Sequence, residues 1–308
     1  MLVLGSNDIQ VLENVAMDYK FPANAGFGLF PVAEVGASSG KIGKFGKESF
    51  QLIDSGRAPG AEAKKVKDSL STVNYSTQEY TLEDAIDDRE IKEARNPAEQ
   101  LLVSAKRRTI KVQQRIGLFV EKLQADLATN TSEYKSGHAI SLSGTDMFDN
   151  ADSDPIGTIE DAKELVRKAI GVRPNTLLIG ANVWAKLKKH SIILDAIKHI
   201  MMPVATPDII KNLLDLEKVV IGEAVYVDKD KETHDIWDKV VILAYVPSSP
   251  SIDEPAFGYT LRRTGYPEFK RYRDEGRNSE VISVSELLGT VLLGADAGAG
   301  VLFTNVIS

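Results

Sequence analysis

The chain has 308 residues, 43% of them hydrophobic and 26% charged, which is enough apolar material to build a core without staples. It contains no cysteine, so disulfides, thiolate metal sites and cysteine nucleophiles are excluded. A formal charge of -7 disfavours a sequence-independent grip on nucleic acid. The opening MLVLGSNDIQ lacks a basic n-region and a long apolar h-region, and no run of about 18 apolar residues occurs, so a cytosolic origin is expected.

The first third is rich in glycine and polar residues, yet Phe21, Phe27, Phe30, Phe45 and Phe50 are too many aromatics for a disordered tail. Such a segment is expected to gain order by lying against another surface. GKFGKESFQLID and STVNYSTQEYTL, the latter with Val73, Tyr75, Tyr80 and Leu82, are β-compatible. Between them DSGRAPGAEAKKVKDSLS is a charged loop punctuated by Gly56, Pro59 and Gly60. Residues 35–84 therefore read as a projecting hairpin arm, and a lone two-stranded ribbon is marginal in water unless it packs on a partner. A mobile surface hairpin explains the same pattern.

The strongest signal runs over residues 96–129. Asn96 suits an N-cap, Pro97 the first helical position and Glu99 the positive end of the helix dipole. Ala98, Leu102, Ala105, Thr109, Val112, Ile116, Phe119, Leu123 and Leu127 recur at steps of four and three, which predicts one long amphipathic helix. At 1.5 Å per residue it would reach roughly 50 Å, about two to three times the radius of gyration of a compact domain of this size. A coiled coil is the alternative reading of that spacing. Asn130 and TSEYKSG end the helix, and GHAISLSGTDMFDNADSDPIG reads as a strand and an acidic loop. Its Asp146, Asp149, Asp152 and Asp154 lack the glycine and terminal glutamate of an EF-hand, so a solvated loop is expected there.

An α/β section begins near Thr158, which with Asp161 resembles a capping box, and the helix carrying Ala162, Leu165, Val166 and Ala169 stops at Gly171. TLLIG, helical stretches over 182–200, a helix opened by Thr206 and Pro207, and the strand KVVIGEAVYVD follow. Strands interleaved with helices indicate a sheet covered on its faces. After a charged linker, DKDKETHDI, come the buried strand DKVVILAYVP and then PAFGYTLRR. EFKRYRDEGRNSEVISVSE reads as two strands around a turn at Asp274, Glu275 and Gly276, with Arg271, Arg273 and Arg277 beside it. LLGTVLLGADAGAGVLFTNVI closes the chain with apolar strands around a glycine-rich turn.

Catalytic constellations are scarce. The four histidines are His138, His190, His199 and His234; the spacing of His190 and His199 is not that of a helical zinc pair, and neither HExxH nor GxSxG occurs. GADAGAG has no following helix or downstream acid for a dinucleotide, and the P-loop pattern is missing. Glu83, Asp84, Asp87 and Asp88 lie in a charge run that reads as a solvated face. No catalytic residue, cofactor or metal site is expected.

This order of elements, together with the phrases NPAEQLLVSAKRRTIKVQQRIGLFVEKLQADL, PNTLLIGANVWAKLKKH, DLEKVVIGEAVYVD and WDKVVILAYVP, resembles the major capsid proteins of tailed bacteriophages and the related encapsulins over essentially the whole chain. The resemblance implies an α+β tailed-phage capsid fold: an N-terminal arm (1–34), an extended hairpin arm (35–88), a peripheral domain with a spine helix (89–157 and 261–286) and an α/β axial domain (158–260 and 287–308). It implies a shell of pentamers and hexamers around double-stranded DNA bound without sequence specificity. It further implies assembly in the host bacterial cytoplasm, a separate scaffolding protein, portal and decoration partners, and no membrane. Arg57, Lys64, Lys65 and Lys67 on the arm and Arg271, Arg273, Asp274, Glu275 and Arg277 on the second hairpin are the candidate inter-subunit contacts. Some members join subunits by a lysine–asparagine isopeptide bond; Lys64, Lys65 or Lys67 could supply the amine, but no motif selects the partner. An encapsulin-like compartment with a cargo tail, and a cytosolic α/β enzyme with a dimerising arm, are the alternatives.

Overall fold

A computed structural model describes residues 24–44, 56, 62, 72–93, 96–198, 205–251, 254 and 256–308. Two five-stranded sheets carry the architecture, and one long helix joins them. The first sheet is built on Ser279–Leu292, a strand of 14 residues. Along one edge it pairs antiparallel first with Glu268–Asp274 and then with Gly258–Arg263, and along the other with Gln78–Asp87. Val32–Val35 adds in parallel outside Gly258–Arg263.

The second sheet orders Ala139–Ser141, Gly300–Thr304, Val241–Ala244, Thr176–Gly180 and Lys218–Gly222. Its central strands are continuous apolar runs, as a sheet covered on both faces requires. Period-two alternation separates the faces. Leu177, Ile179, Val241, Leu243, Val301 and Phe303 meet the helices Pro155–Ile170, Ala181–Leu187, Ser191–Ile197 and Pro207–Leu213. Leu178, Ile242, Ala244 and Leu302 face the other way, onto Leu29, Phe30, Ala125, Ala128 and Trp237.

The spine helix spans Pro97–Ala128, 32 residues, with proline in its first turn. Asn96 is extended but does not cap with its side chain; its amide donates instead to Glu99 at 3.0 Å. Leu101 and Ala105 pack on Ile86 and Ile282, and Val112, Ile116 and Val120 on Val284 and Leu288, so the helix lies along the first sheet. A single helix on a sheet, rather than a coiled coil, accounts for the stripe. The expected stripe holds at Ala105, Thr109, Val112 and Ile116, but Phe119 is 50% exposed, and burial passes to Val120, Gln124, Ala125 and Ala128. Steps of three and four average 3.5 residues, so the pattern drifts by about 20° per heptad against a straight helix. The last turns also enter the joint between the two sheets, which buries a wider arc.

Several boundaries differ from the sequence reading. The first helix of the α/β section starts at Pro155, not Thr158, because Asp154 caps it by accepting from the Gly157 amide at 3.0 Å. Gly171 ends it in the left-handed region, φ 74°. KVVIGEAVYVD is two strands, Lys218–Gly222 and Val225–Val227. The second pairs with Thr233–Asp235, so the stretch expected as a charged linker is a short ribbon. Ser39–Gly43 and Thr72–Ser76 pair antiparallel at the base of the expected arm, while Gln78–Asp87 joins the first sheet. Phe27 and Phe30 do find order against a surface, that of the chain itself; Phe21, Phe45 and Phe50 lie outside the described residues.

Ile116 is 2% exposed, between the spine helix and the sheet. Ile116→Lys should lower stability by about 3 kcal/mol or more, because its ammonium would be buried without a partner. A melting temperature equal to wild type would refute this packing.

Candidate functional site

How precisely a surface is presented depends on how rigid the body beneath it is. The most constrained point is where the spine helix, the segment 24–30 and the second sheet meet. Glu121, 3% exposed, accepts from the Trp237 indole Nε1 at 2.9 Å and from the Ala25 amide at 3.0 Å. Burial pushes its pKa up, while these donors pull the other way. One turn on, the Gln124 amide donates to Thr260 Oγ1 at 2.9 Å, and Thr260 donates to the Phe30 carbonyl at 3.1 Å. Trp237 fits because Gly180 and Gly222, opposite each other in register, leave it room: a Cβ at Gly222 would stand 2.5 Å from its indole Cδ1, and one at Gly180 2.1 Å from its carbonyl oxygen.

A second constraint is a lattice of arginine–carboxylate pairs over the first sheet. Arg108 of the spine helix reaches Asp84 at 2.9 Å and Glu90 at 2.8 Å. Arg273 clamps Asp88, whose pKa is held down to about 2 chiefly by that hydrogen bond. Arg271 pairs across the hairpin with Glu280 at 3.0 Å, and Arg262 with the buried Glu286 at 3.1 Å. The acidic run expected as a solvated face is therefore largely engaged: Asp84 and Asp88 are ion-paired, Asp87 caps Asp88–Lys92, and Glu83 accepts from Tyr272 at 3.0 Å.

No family model matches the chain. The major capsid protein of Burkholderia phage BcepMu is 38% identical over 294 residues, covering 94% of each chain. The chain belongs to the phage major capsid proteins. A phage-related protein from Bordetella bronchiseptica RB50 shares its structure at a TM-score of 0.79 and 29% identity, over 99% of this chain and 98% of that one. The encapsulin of the holo-SrpI complex from Synechococcus elongatus PCC 7942 shares the fold alone, with a TM-score of 0.54 and 13% identity over 94% and 90% of the two chains. The fold of this capsid protein is thus the tailed-phage capsid fold expected from its sequence.

The contact candidates of the capsid protein separate by environment. Arg57, Lys64, Lys65 and Lys67 lie outside the described residues. Arg271 and Arg273 are committed inside the subunit, to Glu280 and Asp88. At the turn itself the side chains of Glu275 and Arg277 are 76% and 80% exposed, each in a long ion pair, Glu275 with Arg273 at 3.7 Å and Arg277 with Asp274 at 3.8 Å, while Asp274 also accepts from the Arg277 amide at 3.1 Å. Sequence reasoning missed Glu121, Trp237, Gly180 and Gly222; the available signal was an acid beside the helix stripe.

Other candidates take structural roles. His138 Nδ1 lies 3.1 Å from the Gly300 carbonyl, and His190 Nε2 lies 2.9 Å from the Asn150 carbonyl, both rings being buried. His234 sits 2.8 Å from Asp228 in the ribbon, and His199 lies outside the described residues. Asp149 accepts from Ser308 Oγ at 2.6 Å, and Asp154 is a helix cap.

Glu121→Ala should cost about 3 kcal/mol, because it leaves two buried donors unpaired. Glu121→Gln keeps an acceptor and removes the charge. A raised folded pKa means that the native state holds its proton more firmly than the unfolded chain, so this glutamate's contribution is favourable at low pH and is lost as pH rises through the folded value. Glu121→Gln should therefore gain on wild type as pH rises from about 4 to 8. Melting curves across that range check this, and a difference that does not change with pH would contradict it.

Proposed function

We propose that this capsid protein assembles through pentamers and hexamers into an icosahedral shell enclosing the double-stranded DNA genome of a phage. Assembly takes place in the host cytoplasm with a separate scaffold, and portal and decoration proteins are the further partners. The relation to a phage capsid protein over 94% of both chains carries this reading, and it implies a structural rather than catalytic role. An encapsulin-like compartment shares the fold but has weaker support, since the encapsulin likeness is at 13% identity.

Physical features support an assembling subunit. Gln78–Asp87 is an edge strand of ten residues whose outer side meets no other strand among the described residues. Its Leu82 and the nearby Phe119 are exposed at 41% and 50%. Open edges and apolar patches of this kind are sites of association. We assign the peripheral role to the first sheet with the spine helix and the axial role to the second sheet; the expected boundary at 286/287 falls inside the strand Ser279–Leu292.

Electron microscopy of the purified protein tests the proposal: isometric particles are the expected result, and a discrete dimer would overturn it. Deletion of residues 56–69 should leave a folded subunit that makes aberrant shells or none, and normal shells would count against an inter-subunit arm. Arg277→Glu at the hairpin tip should shift the subunit's melting free energy by less than about 0.5 kcal/mol, as an exposed residue does, yet slow or block shell formation. Unchanged assembly kinetics by light scattering would remove the tip from the interface.

A further inference from the structure

Between Glu99 and Glu121 the spine helix carries Lys106, Arg107, Arg108, Lys111 and Arg115 and no acid, in a chain whose net charge is -7. Elsewhere several cations on or at the end of helical segments are met by an acid three or four positions away: Lys92 by Asp88, Lys122 by Asp126, Lys163 by Glu160, Arg167 by Glu164 and Lys198 by Asp195. Within residues 100–120 that compensation is missing. Arg108 is instead taken up by Asp84 and Glu90 from outside the helix.

Three of these cations form a row. Arg107, Lys111 and Arg115 recur at four-residue steps, about 6 Å apart along the axis, all exposed on the side away from Thr109, Val112 and Ile116. Arg107 and Arg115 have no ionic partner among the described residues. Lys111 lies 3.5 Å from an Asp84 oxygen, but that carboxylate is already engaged by Arg108, and the lysine side chain stays 51% exposed. The exposed apolar residues of the helix, Val103, Leu118 and Phe119, all lie beyond the ends of the row. A row of bare cations without an apolar centre matches a polyanion better than a protein partner, whose interfaces are built around apolar cores.

We propose that Arg107, Lys111 and Arg115 contact the phosphate backbone of double-stranded DNA. This rests on the reading of the chain as a genome-enclosing capsid protein, and it narrows the expectation drawn from net charge: the chain as a whole does not grip nucleic acid, but this row does. Three contacts per copy are weak and insensitive to sequence. Repetition over a shell multiplies them without making any single contact hard to release.

The test is fluorescence anisotropy of a labelled duplex oligonucleotide with the purified, unassembled subunit across about 50–200 mM salt. Wild type is expected to bind, with an affinity that falls steeply as salt rises. The variant carrying Arg107→Gln, Lys111→Gln and Arg115→Gln should flatten the log–log salt slope by about 2–3, roughly 0.9 per cation removed, with its melting temperature unchanged. Absence of wild-type binding at the lowest salt, or a variant slope equal to wild type, would overturn the proposal. A variant that binds the duplex normally but no longer forms shells would assign the row to a protein contact and overturn it equally. Should wild type form no particles while the slopes behave as expected, the capsid reading fails and the DNA contact stands.

Discussion

Glu121 sets the geometry on which the other surfaces depend, because its carboxylate is buried where three separate pieces of chain converge. Taking a carboxylate out of water is costly unless donors replace the lost hydration. Here the replacements come from Trp237 and from the Ala25 amide, one on the α/β body and one on the segment entering it. Satisfying that one group requires the rod, the entering segment and the body to sit in a single arrangement. The neighbouring chain of hydrogen bonds from Gln124 through Thr260 to Phe30 adds the first sheet to the same joint. Buried hydrogen bonds with fixed donors and acceptors specify orientation in a way that interchangeable methyl groups do not.

Rigidity at the joint is extended outward by the ion pairs over the first sheet. Exposed pairs contribute little to stability, but bidentate arginine pairs arranged in a lattice hold directions. Arg273 fastens the hairpin Glu268–Asp274 and Ser279–Leu292 to Asp88 at the start of a short helix, and Arg108 fastens the rod to Asp84 and Glu90. The hairpin tip therefore projects from a braced base, with Glu275 and Arg277 largely exposed at its end and held only by long ion pairs to Arg273 and Asp274. Unequal use of charge is the common theme. Arginines near the sheet are consumed internally, whereas those on the outer row of the rod are not.

Much of this protein was legible in the sequence because local rules and tertiary demands agree. The proline and glutamate at the start of the spine helix, the apolar runs TLLIG, VILA and GVLF, the glycine stop at Gly171 and the turn after Asp274 each follow from chemistry within a few residues. The family resemblance rested on that order of elements, and the relation to a phage capsid protein bears it out. What only the tertiary structure decided is pairing across distance. Glu121 and Trp237 are separated by 116 positions, and nothing in either neighbourhood names the other. Phe119 looked like core because it keeps a 3.5-residue rhythm, but the sheet beneath the rod and the joint at its end determine which arc is covered. Nor can strand alternation reveal that Glu280 and Asp88 stand within reach of Arg271 and Arg273. Periodicity is a property of one segment, whereas the burial of a charge depends on what the rest of the chain brings to it.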